Sequence, residues 1–334
     1  MVNAFKVFFM NWFVKVIKKI VKRVLPVSLY NVVQREYWHL KGELYDEKKF
    51  KKKMLAARKT PPITNGSKVS ILCNVWNTPP AFLRQMIESV LEQNYCNWEL
   101  LLNNCSSIDN QEVEHILLDY ADEKRIKVFR TTNCGIAENT DFLLSQASGE
   151  FVLLMDHDDF LLPDTISEMM EAQQASGCDF IYADEIILFM SCRHLLKNIK
   201  KSFSMPALER ENFINHPALI RMQILKKIGG FRSGFEGSQD HDLYLRICEE
   251  TEKIHYLPKL LYVWRYNDGS FSARHLDICI ESGRKAVQEH LNRMNIAAEV
   301  TAEKDRAVFT IHYLRTVIGI AFFAFWLYIM LSMF

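Results

Sequence analysis

The 334-residue chain is 49% hydrophobic and 24% charged, with a net charge of +1, a composition that excludes a disordered tail and supports a sizeable core. The near-zero charge hides an asymmetry: residues 1–66 hold 15 Lys and Arg against 4 Asp and Glu, and the remainder holds 26 against 36. A uniformly basic nucleic-acid binder is thereby excluded, and a basic arm on an acidic body is indicated. Eight cysteines (73, 96, 105, 134, 178, 192, 248 and 279) include no C-x-x-C pair, so they read as reduced thiols rather than a zinc or redox motif.

In chain order, residues 1–29 open with an amphipathic stretch. Lys15, Lys18, Lys19 and Lys22 share one helical face and Phe13, Ile17, Ile20, Val21 and Val24 occupy much of the rest, up to Pro26. This pattern suits a helix lying on an anionic lipid surface, or one docking on the protein's own body. Residues 30–67 form a charged helical segment ending in the linker Thr60-Pro-Pro-Ile-Thr-Asn-Gly-Ser67, punctuated as linkers are. A globular domain is expected over 68–300, a juxtamembrane connection over 301–315 and a transmembrane anchor over 316–334. The last stretch has no charged residue and would span roughly 28 Å as a helix; a buried core helix is the competing reading. Arg306 and Arg315 on its flank would place the body at the cytoplasmic face, with membrane lipids as partners.

Within 68–300 the pattern alternates: strand Val69–Val75, helix Phe82–Gln93, strand Trp98–Leu102, helix 112–121, strand Ile126–Arg130, helix Ala137–Ala147, strand Phe151–Met155, helix Leu162–Ala175. The alternation predicts an α/β fold with a mostly parallel sheet flanked by helices, whose ligands sit beyond the carboxyl ends of the strands. There the chain places Asp156-His157-Asp158-Asp159. Three carboxylates at a strand end repel one another unless a cation lies among them, and such oxygen sets select Mg²⁺ or Mn²⁺ together with substrate phosphates. The competing reading is an acidic cap on the following helix. A second acidic loop, Gly234-Phe-Glu-Gly-Ser-Gln-Asp240-His-Asp242, precedes a helix over 243–250; Asp240 is there either a helix cap or a general base.

These segments resemble glycosyltransferase family 2, the inverting nucleotide-sugar transferases of GT-A fold. The resemblance covers roughly residues 68–300. It runs through Val69-Ser-Ile-Leu-Cys-Asn-Val-Trp-Asn77-Thr-Pro-Pro80, Glu88-Ser-Val-Leu-Glu-Gln-Asn-Tyr95, Asn133-Cys-Gly-Ile-Ala137, Gly149 to Asp159, Ile228-Gly-Gly-Phe-Arg232 to Asp240, and Tyr262-Val-Trp-Arg265. It implies donor contacts at Asn77, Asn104, Asn133, Asp156 and Arg265, a divalent cation on Asp156 and Asp158, and Asp240 as the base. It also implies an acceptor side at His216 and Asp242. The implied partners are a nucleotide-sugar donor and a glycan or lipid-linked acceptor. The chain departs from the family pattern at Asn104-Cys105, where paired aspartates are usual, at Gln239, at Asp141, and at Asn267, where a histidine is frequent. These departures leave the nucleobase open. The rival functions are a metal-dependent phosphoesterase and a degenerate, non-catalytic scaffold in a glycan-assembly complex.

Overall fold

The computed structural model describes residues 45–190, 194–266 and 270–314. The elements in chain order begin with α1 (Glu47–Ala57), β1 (Val69–Val75), α2 (Pro80–Leu91), β2 (Trp98–Asn104), α3 (Gln111–Leu118), β3 (Ile126–Arg130), α4 (Ile136–Gln146) and β4 (Phe151–Leu154). They continue with β5 (Phe160–Leu161), α5 (Thr165–Ser176), β6 (Phe180–Phe189), β7 (His194–Asn198), α6 (Met205–Arg210), β8 (Ala218–Arg221), α7 (Met222–Ile228) and α8 (Gln239–Glu250). Last come β9 (Ile254–Tyr266), α9 (Phe271–Arg274), α10 (Leu276–Arg293), β10 (Ala298–Ala302) and β11 (Phe309–Tyr313).

Nine strands form one sheet in the order β3-β2-β1-β4-β8-β6-β9-β5, with β7 on β6. Strands β3, β2, β1 and β4 are parallel. The inner three, β2, β1 and β4, are buried along almost their whole length because helices cover both faces, while the edge strand β3 is largely exposed. The alternation predicted a mostly parallel sheet; the sheet is in fact mixed. β8 runs antiparallel to both β4 and β6, and β5 and β7 are antiparallel to β9 and β6. The reason is connectivity: past α5 the chain no longer returns through a helix after every strand, so strands can reverse.

One face of the sheet packs Leu83, Met86 and Ile87 of α2, Val113 and Ile116 of α3 and Met169 of α5. The other packs Leu143 of α4, Leu225 of α7, Leu243 and Ile247 of α8 and Val287 and Leu291 of α10. A third, smaller cluster joins Phe160, Leu162, Ile186, Leu195 and Val263, against which Tyr45, Phe50 and Met54 of the amino-terminal segment pack. Sheet, covering helices and this attachment form the frame that places the loops.

Three expectations change. The stretch 301–315, read as a connection, supplies β11, which pairs antiparallel with β10. The helix expected at 243–250 begins at Gln239, so Asp240 and Asp242 lie in its first turn. Among the described residues no helix is long and apolar enough to cross a membrane. The longest, α10, has 18 residues but carries Asp277, Glu281, Arg284, Lys285, Glu289 and Arg293, charges that bilayer hydrocarbon does not accept. The expected anchorage at the cytoplasmic membrane face is therefore withdrawn. The segments 1–29 and 316–334 on which it rested lie outside the described residues, as does Asn267.

Candidate active site

The loop after β4 is built from below by β9. The Asp159 carboxylate is 1% exposed; it accepts from the Tyr262 hydroxyl at 2.8 Å and the Arg265 backbone N–H at 2.8 Å. The Asp156 N–H donates in turn to the Tyr262 oxygen at 3.2 Å. Arg265 is 2% exposed. Its guanidinium donates to the Asp158 carbonyl and to Gln85 Oε1, and lies 4.6 Å from the Phe82 ring centroid and 4.7 Å from that of Phe160. Arginine suits this place because its planar fork can bond at its edge and stack on its faces. His157, between the first two aspartates, is engaged at Nδ1 by Thr78 Oγ1 at 2.9 Å.

The other two carboxylates are held differently. Asp156, its side chain 57% exposed, lies 3.5 Å from His216 Nε2. Partial burial disfavours its charge, but the positive charge of His216, its hydrogen bond and the neighbouring His157 outweigh this and hold the carboxyl below its ordinary value. Asp158 is pushed up, by burial and then by repulsion from Asp156, against the pull of His157 and Arg265. Asp159 goes well above the ordinary range, by burial and then by repulsion from Asp156 and Asp158.

Across the cleft, α8 begins after the turn at Gly237, whose φ of +74° suits glycine and where a Cβ would come within 2.3 Å of Cys279 Sγ. The tightness of that turn fixes where the first turn of α8 sits. Asp240, partly buried, accepts from Asn212 Nδ2 at 3.2 Å. Burial pushes its carboxyl up, and His216 pulls it partly back. His216 is 17% exposed at its side chain and tilts against Tyr262 with centroids 5.4 Å apart. Burial favours its neutral form, but Asp156 and then Asp240 win and raise its pKa. Asp156, at 3.5 Å, and Asp240 thus both bear on His216.

Asp242, expected on the acceptor side, is elsewhere. It is wholly buried and held by Arg232 and by Arg246, whose Nε is 2.9 Å from Oδ2. Two residues after Asp240 on a helix, it points away from that residue's face. Arg246 also donates to the carbonyls of Ile228 and Gly230 at 3.1 and 2.7 Å. Asp242 therefore organises the turn before α8, which corrects its expected role. Asp141 bonds the same turn through the Phe231 N–H at 2.7 Å.

The loops after β1, β2 and β3 are tied together by a web of amides. Asn77, with φ +47°, accepts at Oδ1 from Ser107 N–H at 3.3 Å and Asn110 Nδ2 at 3.2 Å. Asn104 is 1% exposed, donates to Glu114 at 2.8 Å and accepts from Ser106 N–H at 3.1 Å. Asn133, exposed, accepts from Gly135 N–H at 3.1 Å and Asn139 Nδ2 at 2.9 Å, tying the entry to α4. Of these three, Asn104 is spent on the loop's own structure. Tyr262 and Asn212 were missed as site residues; both lie in segments the sequence singled out, but their partners are far away in the chain.

Among the described residues no group of three or more His, Cys, Asp or Glu side chains is placed to hold a metal ion. Asp156 and Asp158 fit a divalent cation in a narrower sense. Two crowded carboxylates, one raised by the other, are what such an ion needs from a protein when substrate phosphates complete its shell.

The family model described as "Glycosyl transferase family 2" matches residues 70–229. "Uncharacterized protein y4gI" of Sinorhizobium fredii is 35% identical over 69% of this chain, and "O-antigen biosynthesis protein RfbC" of Myxococcus xanthus is 31% identical over 70%. The chain covers 26% and 19% of these two relatives. The crystal structure of S. aureus TarS 1–349 in complex with UDP-GlcNAc superposes with a TM-score of 0.56 at 17% identity, over 67% of each chain; at that identity the match speaks for the fold.

Proposed function

The chain belongs to glycosyl transferase family 2, and we propose that it transfers a sugar, with inversion, from a nucleotide-sugar donor to a hydroxyl of a glycan or lipid-linked acceptor. The observation that carries this reading is the pairing of Asp156 and Asp240 across one cleft with His216 between them. Asp240 has a pKa raised by burial, which brings an aspartate toward the range of a useful general base. In the proposed step Asp240 takes the proton of the acceptor hydroxyl as its oxygen bonds the anomeric carbon. The bond from that carbon to the diphosphate oxygen breaks on the opposite face, and the nucleoside diphosphate leaves with the electron pair. One in-line displacement inverts the configuration.

Asp156 and Asp158 would hold a Mn²⁺ or Mg²⁺ ion that, when bound, neutralises the leaving diphosphate. Arg265 acts from beneath, by fixing the Asp158 carbonyl and the Asp159 carboxylate, since it is too buried to meet the donor directly. Asn77 and Asn133, on the loops after β1 and β3, line the donor side. Asn104 contributes by shaping its loop. TarS was crystallised with UDP-GlcNAc and with UDP, which makes a uridine nucleotide the first donor to test.

The test is a screen of UDP-, GDP-, CDP- and dTDP-sugars with the full chain and Mn²⁺, scoring release of nucleoside diphosphate and the anomeric configuration of the product by NMR. Release with inverted configuration is expected. Retained configuration, or release of inorganic phosphate alone, would contradict the proposal, the second outcome pointing to a phosphoesterase.

A further inference from the structure

The loop 212–216 carries two side chains of the cleft, and a buried lysine holds it from behind. Lys200 follows β7 and its side chain is 1% exposed. Its Nζ donates to the carbonyls of Ile214 and His216. Glu185 Oε2 stands 3.9 Å away as counter-charge and is itself fixed through Oε1 by Asn198 Nδ2 at 2.7 Å. The Lys200 backbone N–H donates to Asp184 Oδ1 at 2.8 Å, an oxygen that also accepts from the Tyr256 hydroxyl at 2.8 Å. The carbonyl between the two, that of Asn215, accepts from the Tyr244 hydroxyl at 2.9 Å. Asn215 itself has a φ of +43°, so the loop turns through a conformation that needs outside support.

Three successive carbonyls are therefore taken up from inside the protein, two of them by one ammonium. Burying an ammonium is costly unless it is paired and bonded. Here its donors are spent on main-chain oxygens that would otherwise be left buried and unsatisfied. A cross-link between the Ile214 and His216 carbonyls fixes the 214–215 and 216–217 peptide planes, Tyr244 holds the plane between them, and with them is set the direction in which the neighbouring side chains leave.

Resting on the sugar-transfer reading above, we infer that Lys200 is a positioning residue for the transfer step. By clamping the Ile214 and His216 carbonyls it aims Asn212 at Asp240 and His216 at Asp156. Lys200 touches no reacting atom, and its effect passes through the loop. The loop after β4 is anchored separately, by Tyr262 and Arg265 of β9, so donor binding is expected to change little. A displacement of about 1 Å in such a support can lower turnover by up to roughly a hundredfold without removing any reacting group.

The test uses the full chain as wild type, Lys200→Met and Lys200→Arg. Amide hydrogen exchange is followed over 212–217 and 156–159, and kcat and donor KM are measured by nucleoside diphosphate release from the same sugar-nucleotide panel. In Lys200→Met, exchange at 212–217 rises about tenfold while 156–159 stays within about twofold. There kcat falls at least about tenfold and donor KM stays within about twofold, and Lys200→Arg recovers part of kcat. Unchanged exchange at 212–217, unchanged kcat, or a raised KM with kcat intact overturns the positioning role. If Lys200→Met yields no folded protein, Tyr244→Phe removes only the bond to Asn215 and takes the same readouts; a fall of about threefold in kcat is expected, and none overturns the role. A wild type inert toward the whole panel defeats the sugar-transfer reading and the positioning role with it. Faster exchange at 212–217 in that case still establishes the clamp, which separates the two failures.

Discussion

The two acidic loops of the cleft divide their labour in the same way but by opposite means. In each, a less buried carboxylate stands beside one buried in the frame. In the loop after β4 the buried acid is Asp159, bonded to a tyrosine hydroxyl and a backbone N–H and pushed well above its ordinary pKa. In the first turn of α8 it is Asp242, gripped by two arginines. The first is a hydrogen-bonding post held by two neutral donors, where burial and acidic neighbours disfavour charge; the second is a rivet held by two cations. A buried carboxylate in a sequence motif is therefore not one kind of object: its partners decide whether losing its charge matters.

Substitutions separate the two loops. The largest effect is expected at Asp240, where Asp240→Asn should lower kcat by about 10²–10⁴-fold, the usual contribution of a positioned base, with melting temperature unchanged or raised. Retained turnover would remove Asp240 from the chemistry. Next, Asp242→Ala leaves Arg232 and Arg246 facing an empty buried site. A loss of about 3–5 kcal/mol is expected in denaturant unfolding, as for other buried pairs broken on one side. A loss under about 1 kcal/mol would show the rivet to be dispensable. Asp159→Asn keeps a bonding group where charge is already disfavoured, so only about 1 kcal/mol should be lost; a cost as large as that of Asp242→Ala would erase the distinction drawn here.

The smallest effect is on pH dependence. Asp240 must be ionised to accept a proton, and its raised pKa means that ionisation is lost at a higher pH than for an ordinary aspartate. The acid limb of kcat/KM should therefore lie above the usual aspartate range. Removing the positive charge in His216→Gln should move that limb further up, because His216 lowers the Asp240 pKa. A limb that stays put would show that His216 does not act on Asp240 electrostatically.

Much of this site was legible in the sequence where a signal is local. Asp156–Asp159 announced itself because an apolar strand ends in acids, and β1, β2 and β4 were recovered because each is a nearly continuous buried run, which the largely exposed edge strand β3 is not. Asp240 and Asp242 looked alike because both are acids beside a glycine turn. Arg246 at i+4 from Asp242 was the available hint of an ion pair, and it pointed to the buried role. What pins Asp159 comes from 103 and 106 residues along the chain, beyond any local pattern. The antiparallel half of the sheet was hidden for the same reason: β8 inserts between β4 and β6, and nothing local records that. Charge and hydropathy at the ends suggested membrane contact, but the body they would attach to holds no spanning helix among its described residues.

The central claim is that the loop after β4 binds the donor's diphosphate while Asp240 serves the acceptor. Isothermal titration of UDP, GDP, CDP and dTDP into wild type, Asp158→Ala and Asp240→Asn, with and without Mn²⁺, tests it most directly. Metal-dependent binding of one nucleotide is predicted, abolished by Asp158→Ala and unchanged within about twofold by Asp240→Asn, a shift of under roughly 0.5 kcal/mol. Equal affinity in wild type and Asp158→Ala, or binding lost in Asp240→Asn, would contradict it.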